Sequence, residues 1–453
     1  MTRNREYGTI LRLAGPILAG QLGSIATGFA DNIMVGRYST EALASASFVN
    51  NLFNVAILAC IGFTMGLTPL VGALFARGEH DRSGVLVRSA AIVNTVFALL
   101  TMTVMGVLYL CLDNLGQPVE LLPLIRPYFL LALAGMLPLT LFNVFEQWSF
   151  GIESTLAPMW IILGGNVLNV LGNWLLIYGV GGCPEMGLTG AGISTLASRV
   201  VICVAMIWYF AASRRGRLYR PGFRRARLTF ADVRLIVATS LPVSMQMCFE
   251  TASFGIAAIW VGELGTIPLA AYQIVVITGT LGFCIYYSAG AAISVRVANA
   301  AGAGNRAAMR SRAWAGYHII LAIMILSSLT FIFGGRAIMG AFTDDPKVLA
   351  LALSLITPLV LYQFGDATQV TFANALRGTA RVKPMLWISF FSYVVVGLPV
   401  TYMFCFTAGW GVYGVVLSFS VSLLTAAALF LAFFLRATGH KFRPKEPKNK
   451  NLS

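Results

Sequence analysis

The chain has 453 residues, of which 58% are hydrophobic and only 11% charged, with a formal net charge of +15. Soluble domains carry charge on about a quarter of their residues, so this composition excludes an ordinary soluble fold and marks an integral membrane protein. The basic excess lies between hydrophobic runs, as membrane-flanking charge does, so the lipid bilayer is an expected partner and nucleic acid is not.

The start, Thr2, Arg3, Asn4 and Arg5, leads straight into an apolar run too long for a signal-peptide core, and the first helix is expected to remain in place. Runs long enough to span a bilayer, which takes about 20 residues, number twelve. They cover residues 10–36, 46–75, 85–112, 121–149, 157–181, 187–213, 232–262, 268–300, 312–335, 348–375, 384–406 and 410–436. The expected fold is therefore all-α and integral to the membrane, with twelve transmembrane helices. Alternate connections, together with both ends, hold 27 of the 32 Lys and Arg residues. The opposite side has Arg37, Arg126, Arg336 and Lys347, and Arg199 falls within a span. By the positive-inside rule both termini are cytoplasmic, and a multi-pass place in the cell (inner) membrane is expected.

The Arg-rich stretch 214–231 divides the chain into a first lobe, 1–213, and a second, 232–436, followed by a basic cytoplasmic tail, 437–453. Its arginines read as a solvated topology signal. Sliding the chain by 226 residues pairs Pro16 with Pro242, Val35-Gly36 with Val261-Gly262, Gly78 with Gly304 and Pro158-Met159 with Pro384-Met385. One shift serves most of a half without gaps. The lobes therefore read as repeats of six spans each, in the same membrane orientation, and a site at the interface of internal repeats is a transporter design.

Acids inside spans carry the chemistry, because a carboxylate at the middle of a membrane helix costs about 2.5 to 3.5 kcal/mol and faces a bundle interior or a water path. Glu250 sits near the middle of the run from Leu241 to Trp260. Four polar pairs at i, i+4 spacing share a helix face: Thr27 with Asp31, Asn169 with Asn173, Gln246 with Glu250, and Tyr362 with Asp366. Two chemistries are open to Glu250 and Asp366. They can exchange protons, or their oxygens and nearby hydroxyls can hold a hard cation such as sodium. The shift aligns Asp31 with Ala257, Glu250 with Ser24 and Asp366 with Thr140, so each lobe owns a different polar set. Glu146, near the cytoplasmic end of its span, reads as an interfacial residue, and Arg199 receives no role.

The seven cysteines form no CxxC pair and read as small apolar fillers, without a disulfide or metal framework. Three scattered histidines support no metal cluster or catalytic set, and no Gly-Lys pair is present to make a phosphate-binding loop. No enzyme is expected, and pumping must draw on a gradient or on another subunit.

Several stretches resemble the multidrug and toxic compound extrusion (MATE) transporters, particularly their NorM-like branch. They are FADNIMVGR at 29–37, LTPLVGALFARG at 67–78, NVLGNWLLIYG at 169–179, EMGLTGAGIST at 185–195, LPVSMQMCFE at 241–250, AAISVRVANAAGAGN at 291–305, and LYQFGDATQV with ALRGTARVKP across 361–384. The resemblance implies two pseudo-symmetric six-helix bundles around a V-shaped cavity that opens alternately to either side. It implies export of amphiphilic drugs in exchange for sodium or protons, with no cofactor beyond that ion. By motif, Glu250, Tyr362 and Asp366 look like the C-lobe cation site, a possible sodium site. Asp31, Asn169, Asn173 and Thr195 look like the N-lobe polar network. Phe150-Gly151 departs from the more usual Arg-Gly, and Asn173 stands where some branches have aspartate. A monomer is expected. The rival reading is a flippase for a lipid-linked oligosaccharide, which should line its cavity with Arg or Lys.

Overall fold

The computed structural model describes residues 3–116 and 118–439. Of the expected basic tail, the part from His440 onward, with Lys441, Arg443, Lys445, Lys448 and Lys450, lies outside the described residues. The rest is built almost wholly of helices, which lipid demands because it offers no partner for a free backbone N–H or C=O.

The first half comprises α1 (Arg3–Tyr38), α2 (Thr40–Thr64), α3 (Leu67–Arg77), α4 (His80–Leu110), α5 (Leu122–Ala134), α6 (Met136–Gly151), α7 (Leu156–Tyr178) and α8 (Gly187–Ala212). A short helix α9 (Arg220–Arg225) lies in the connection. The second half comprises α10 (Phe230–Glu263), α11 (Thr266–Gly302), α12 (Arg306–Gly340), α13 (Pro346–Ser354), α14 (Ile356–Gly378), α15 (Lys383–Ser389), α16 (Leu398–Tyr402) and α17 (Gly411–Ala437). Among the described residues, eleven helical stretches are long and apolar enough to cross a membrane, and α13 with α14, bent by 45°, completes twelve if the pair is one span. Several expected spans are broken within. α2 passes into α3 through Met65 and Gly66, α5 meets α6 at Gly135, and the run after α15 winds as π-helix over Phe390–Gly397. Outward-facing apolar side chains such as Val104, Trp208, Phe333 and Trp387 are more than two-thirds exposed, as a lipid-solvated surface requires.

Local signals place the helix ends. Ser39 caps α2 by accepting from the Ala42 amide at 3.1 Å, and Thr229 caps α10 by accepting from the Asp232 amide at 3.2 Å. Gly78 ends α3 in the left-handed region at φ +73°, which a glycine adopts without strain.

The connection is anchored as well as charged. Its Tyr219 is 1% exposed and packs edge-on against Trp148 and His80, while Gly222 rests against the Asp81 carbonyl with no room for a Cβ. Arg214, Arg215, Arg217, Arg224, Arg225 and Arg227 remain on the surface.

The halves meet along one seam, on the side of this connection. α1 enters the core of the second half through Ile10, Leu13, Ala14 and Ile17. α2 and α3 run against α10 and α11, where Gly62 faces Ser244 and Gly66 faces Ser240, and Ser244 donates to the Ala59 carbonyl at 2.8 Å. Arg77 donates to the Gly302 carbonyl at 3.1 Å, and Arg82 pairs with Asp232. The named bridges between the halves all sit at this end. At the far end of α1, Phe29 and Ile33 are about half exposed. This is the arrangement of two bundles closed on the connection side and apart on the other.

Candidate functional site

α10 and α14 bring Glu250, Tyr362 and Asp366 to one cavity of about 230 Å³ inside the second half. The i, i+4 spacing on α14 turns Tyr362 and Asp366 to the same side. The remaining wall is apolar or hydroxylic, including Met247, Phe254, Tyr272, Phe283 and Phe419, with Thr251 and Thr280 among it. Leu58 of α2 reaches in from the first half, so the cavity adjoins the space between the bundles. Among the described residues, two carboxylates line it, and no Lys, Arg or His does. Such a chamber favours a cation, because the field of its acids is weakly screened there.

α11 can pass close to Tyr362 because Gly279 lies beside the phenol, where a Cβ would collide with the hydroxyl. Gln246, the sequence partner of Glu250, does not reach the cavity lining, and its Oε1 is buried without a protein partner. Tyr393 instead lies beside Glu250, held on the π-helical stretch. No motif announced this residue. π-turns collect at functional positions, and the local hints were Gly397 and Pro399 in a run that also holds Ser389, Ser392 and Thr401.

The second polar set assembles in the first half. Asn173 Nδ2 donates to Asp31 and, at 3.4 Å, to Asn169 Oδ1; Asn169 Nδ2 donates to Thr195 Oγ1 at 3.2 Å. All four residues expected there are thus linked across α1, α7 and α8. Thr27, the other member of its sequence pair, turns its hydroxyl back to the Gly23 carbonyl at 2.9 Å. Arg199 lies close enough to Asp31 and Tyr128 for charge interaction, inside the same bundle. The N-lobe acid therefore has a base in its neighbourhood, which the second cavity lacks.

Glu146 is where the sequence reading and the structure part. Read as interfacial, it is 8% exposed, and lines a small polar cavity of about 70 Å³ between the halves. Gln21, Thr68 and Asn143 share that lining, and Arg377 comes in from the second half. The chain position of Glu146 near a span end suggested solvent; the packing of α1, α11 and α14 over that end removes it.

Comparison with known proteins follows the same division. The MatE family model matches residues 16–175 and 242–403, one match on either side of the connection. A probable multidrug resistance protein NorM of Xanthomonas axonopodis pv. citri is 29% identical over 96% of this chain and 95% of its own length. Multidrug resistance protein PmpM of Pseudomonas aeruginosa is 31% identical over 88% of this chain and 83% of its own. Among solved structures, one described as the outward-facing conformation of a multidrug resistance MATE family transporter superposes with a TM-score of 0.87 at 17% identity, covering 96% of both chains. The eukaryotic MATE transporter AtDTX14 gives 0.85 at 18% identity, over 95% of this chain and 96% of its own.

Proposed function

We propose, given that the chain belongs to the MatE family, that it is a multidrug efflux transporter that exports amphiphilic cations in exchange for sodium or protons. The observation that carries the reading is the cavity lined by Glu250 and Asp366 and, among the described residues, by no base. A flippase for an anionic lipid-linked sugar would need the opposite lining.

The geometry supports the following cycle. With the bundles closed on the connection side, the cavity adjoins the space left open on the far side, which the charge bias makes the exterior. A cation arriving there neutralises the two carboxylates, and a drug cation held by the same field loses its counter-charge and leaves. The loaded bundles then separate on the cytoplasmic side, the ion departs, and the bare acids attract the next drug. A ligand shifts such an equilibrium only through different affinities for the two states. Tyr362 and Tyr393 supply hydroxyls beside the acids, fit to complete an ion's oxygen shell or to relay a proton.

The test is drug uptake into inside-out vesicles under an imposed sodium gradient and, separately, an imposed pH gradient. Uptake driven by either one, and inhibited by competing lipophilic cations, is expected. Uptake of matched anions alone, or none under either gradient, refutes the reading.

A further inference from the structure

Glu6 at the start of α1 is 5% exposed and belongs to the first half; Arg296 of α11 is 6% exposed and belongs to the second. Arg296 Nη2 donates to both oxygens of Glu6, at 2.9 and 2.8 Å, and its Nε adds a contact at 3.2 Å. Its Nη1 donates to Glu153 Oε1 at 2.7 Å, in the turn between α6 and α7. Asn299 donates to the same Glu153 oxygen at 2.5 Å, and Arg312 Nε to Glu6 Oε1 at 3.2 Å. Arg312 also donates to the Arg296 carbonyl at 2.8 Å, tying the two arginines together. Glu153 sits at φ +59°, a left-handed conformation that a non-glycine residue holds only when its surroundings fix it.

Two acids of one half are thus gripped by two arginines and an amide of the other, with no net charge. Buried pairs of this kind add little to the stability of a fixed fold, because desolvation offsets the attraction. Across a seam that opens, the balance differs. When the halves part, water replaces each partner, so the pair can break without leaving a dry charge.

We propose that Arg296 is the keystone of a latch on the connection side, and that its grip on Glu6 and Glu153 sets how the transporter divides its time between its two open states. The inference rests on the transporter reading for its functional meaning. Arg296 is a positioning residue here: it touches neither cavity acid, and acts by holding the bundles in the state that exposes the cavity outward.

The experiment uses a cysteine-free full chain carrying Ser240→Cys, which the closed seam buries against Gly66. Purified protein in detergent is labelled with a bulky polar maleimide. Glu6→Gln and Glu153→Gln should each raise the labelling rate about tenfold, within the usual range for coupling between sites. Arg296→Lys, which keeps the charge but not the fork, should fall between these and the parent. Asp113→Asn, which removes an exposed pair with Arg126 within the first half, should change nothing. A second reporter, Ser389→Cys, lies buried at the foot of the C-terminal bundle, and its labelling should stay constant. Unchanged Ser240→Cys labelling in both Glu variants overturns the proposal, as does a parallel rise at Ser389→Cys, which would signal general loosening. If Glu6→Gln fails to fold, Glu153→Gln, whose side chain is 26% exposed, decides alone. Labelling requires no transport, so a shifted rate in a protein whose parent moves no drug under either gradient would count against the transport reading and not against the latch.

Discussion

Gly66→Ala separates folding from switching more cleanly than any change at an acid. Gly66, at the junction of α2 and α3, has φ −64° and ψ −17°, a right-handed conformation in which replacing glycine by alanine stabilises by about 0.4 to 1 kcal/mol through the unfolded chain. Locally the substitution therefore stabilises. Across the seam it does the reverse, because the new Cβ would stand 2.6 Å from Ser240 Cα and 2.7 Å from its backbone nitrogen. Those are backbone atoms of α10, and they cannot swing aside as a side-chain tip would. Overpacking of this kind costs about 1 to 3 kcal/mol, which corresponds to about 5- to 150-fold in an equilibrium. The strain exists only while the halves touch, so the closed state on the connection side should lose by that factor. Drug efflux at matched membrane abundance should fall accordingly, while the melting temperature holds or rises. Gly106→Ala, where nothing lies within 4 Å of the added carbon, should leave efflux unchanged. Wild-type efflux from Gly66→Ala would refute the claim that this contact must re-form in every cycle.

Glu250→Gln and Asp366→Asn should each reach the membrane at near wild-type level yet lose gradient-driven export, measured as drug efflux against abundance; full efflux by both would move coupling elsewhere. Asp31→Asn should weaken export less, because its amide can still meet the hydrogen-bonding network that Asn173 and Asn169 form around that position; a loss as deep as that of Glu250→Gln would place coupling in the first bundle. A cysteine at Thr229 should label only from the cytoplasm and the native Cys183 only from outside, and labelling of both from one side would sink the orientation read from charge.

The spans and the acids were legible because each depends on one stretch of chain. Twelve apolar runs and a carboxylate within one of them need no knowledge of what packs where. Tyr362 and Asp366 reach one cavity because helical spacing alone turns them together, and Glu250 joins them through the packing of α10 against the rest of its bundle. Illegible were the features made by residues far apart. Glu6 and Arg296 are 290 positions apart, and neither shows in sequence that it is dry. Glu146 looked wet for the same reason, since its burial comes from three other helices. Tyr393 needed a π-turn, whose wider winding no hydropathy pattern records.

What the packing adds is a division of labour that the repeat hides. The two halves align residue for residue over long stretches, yet one bundle surrounds its acid with amides and sets a base near it, while the other leaves two acids facing an apolar chamber. An acid held by an amide with a base nearby gains less from an arriving cation than two acids lining one cavity with tyrosine hydroxyls beside them. On the proposed reading, the exchange of ion for drug therefore belongs in the second bundle. The seam has the complementary task. Its glycines and serines let α2 and α3 lie close against α10 and α11, and its charged pairs can be taken over by water, which on the proposed reading keeps closing on that side reversible. A transporter needs both properties in different places: a site whose charge changes strongly with occupancy, and a joint whose stability changes little when it opens.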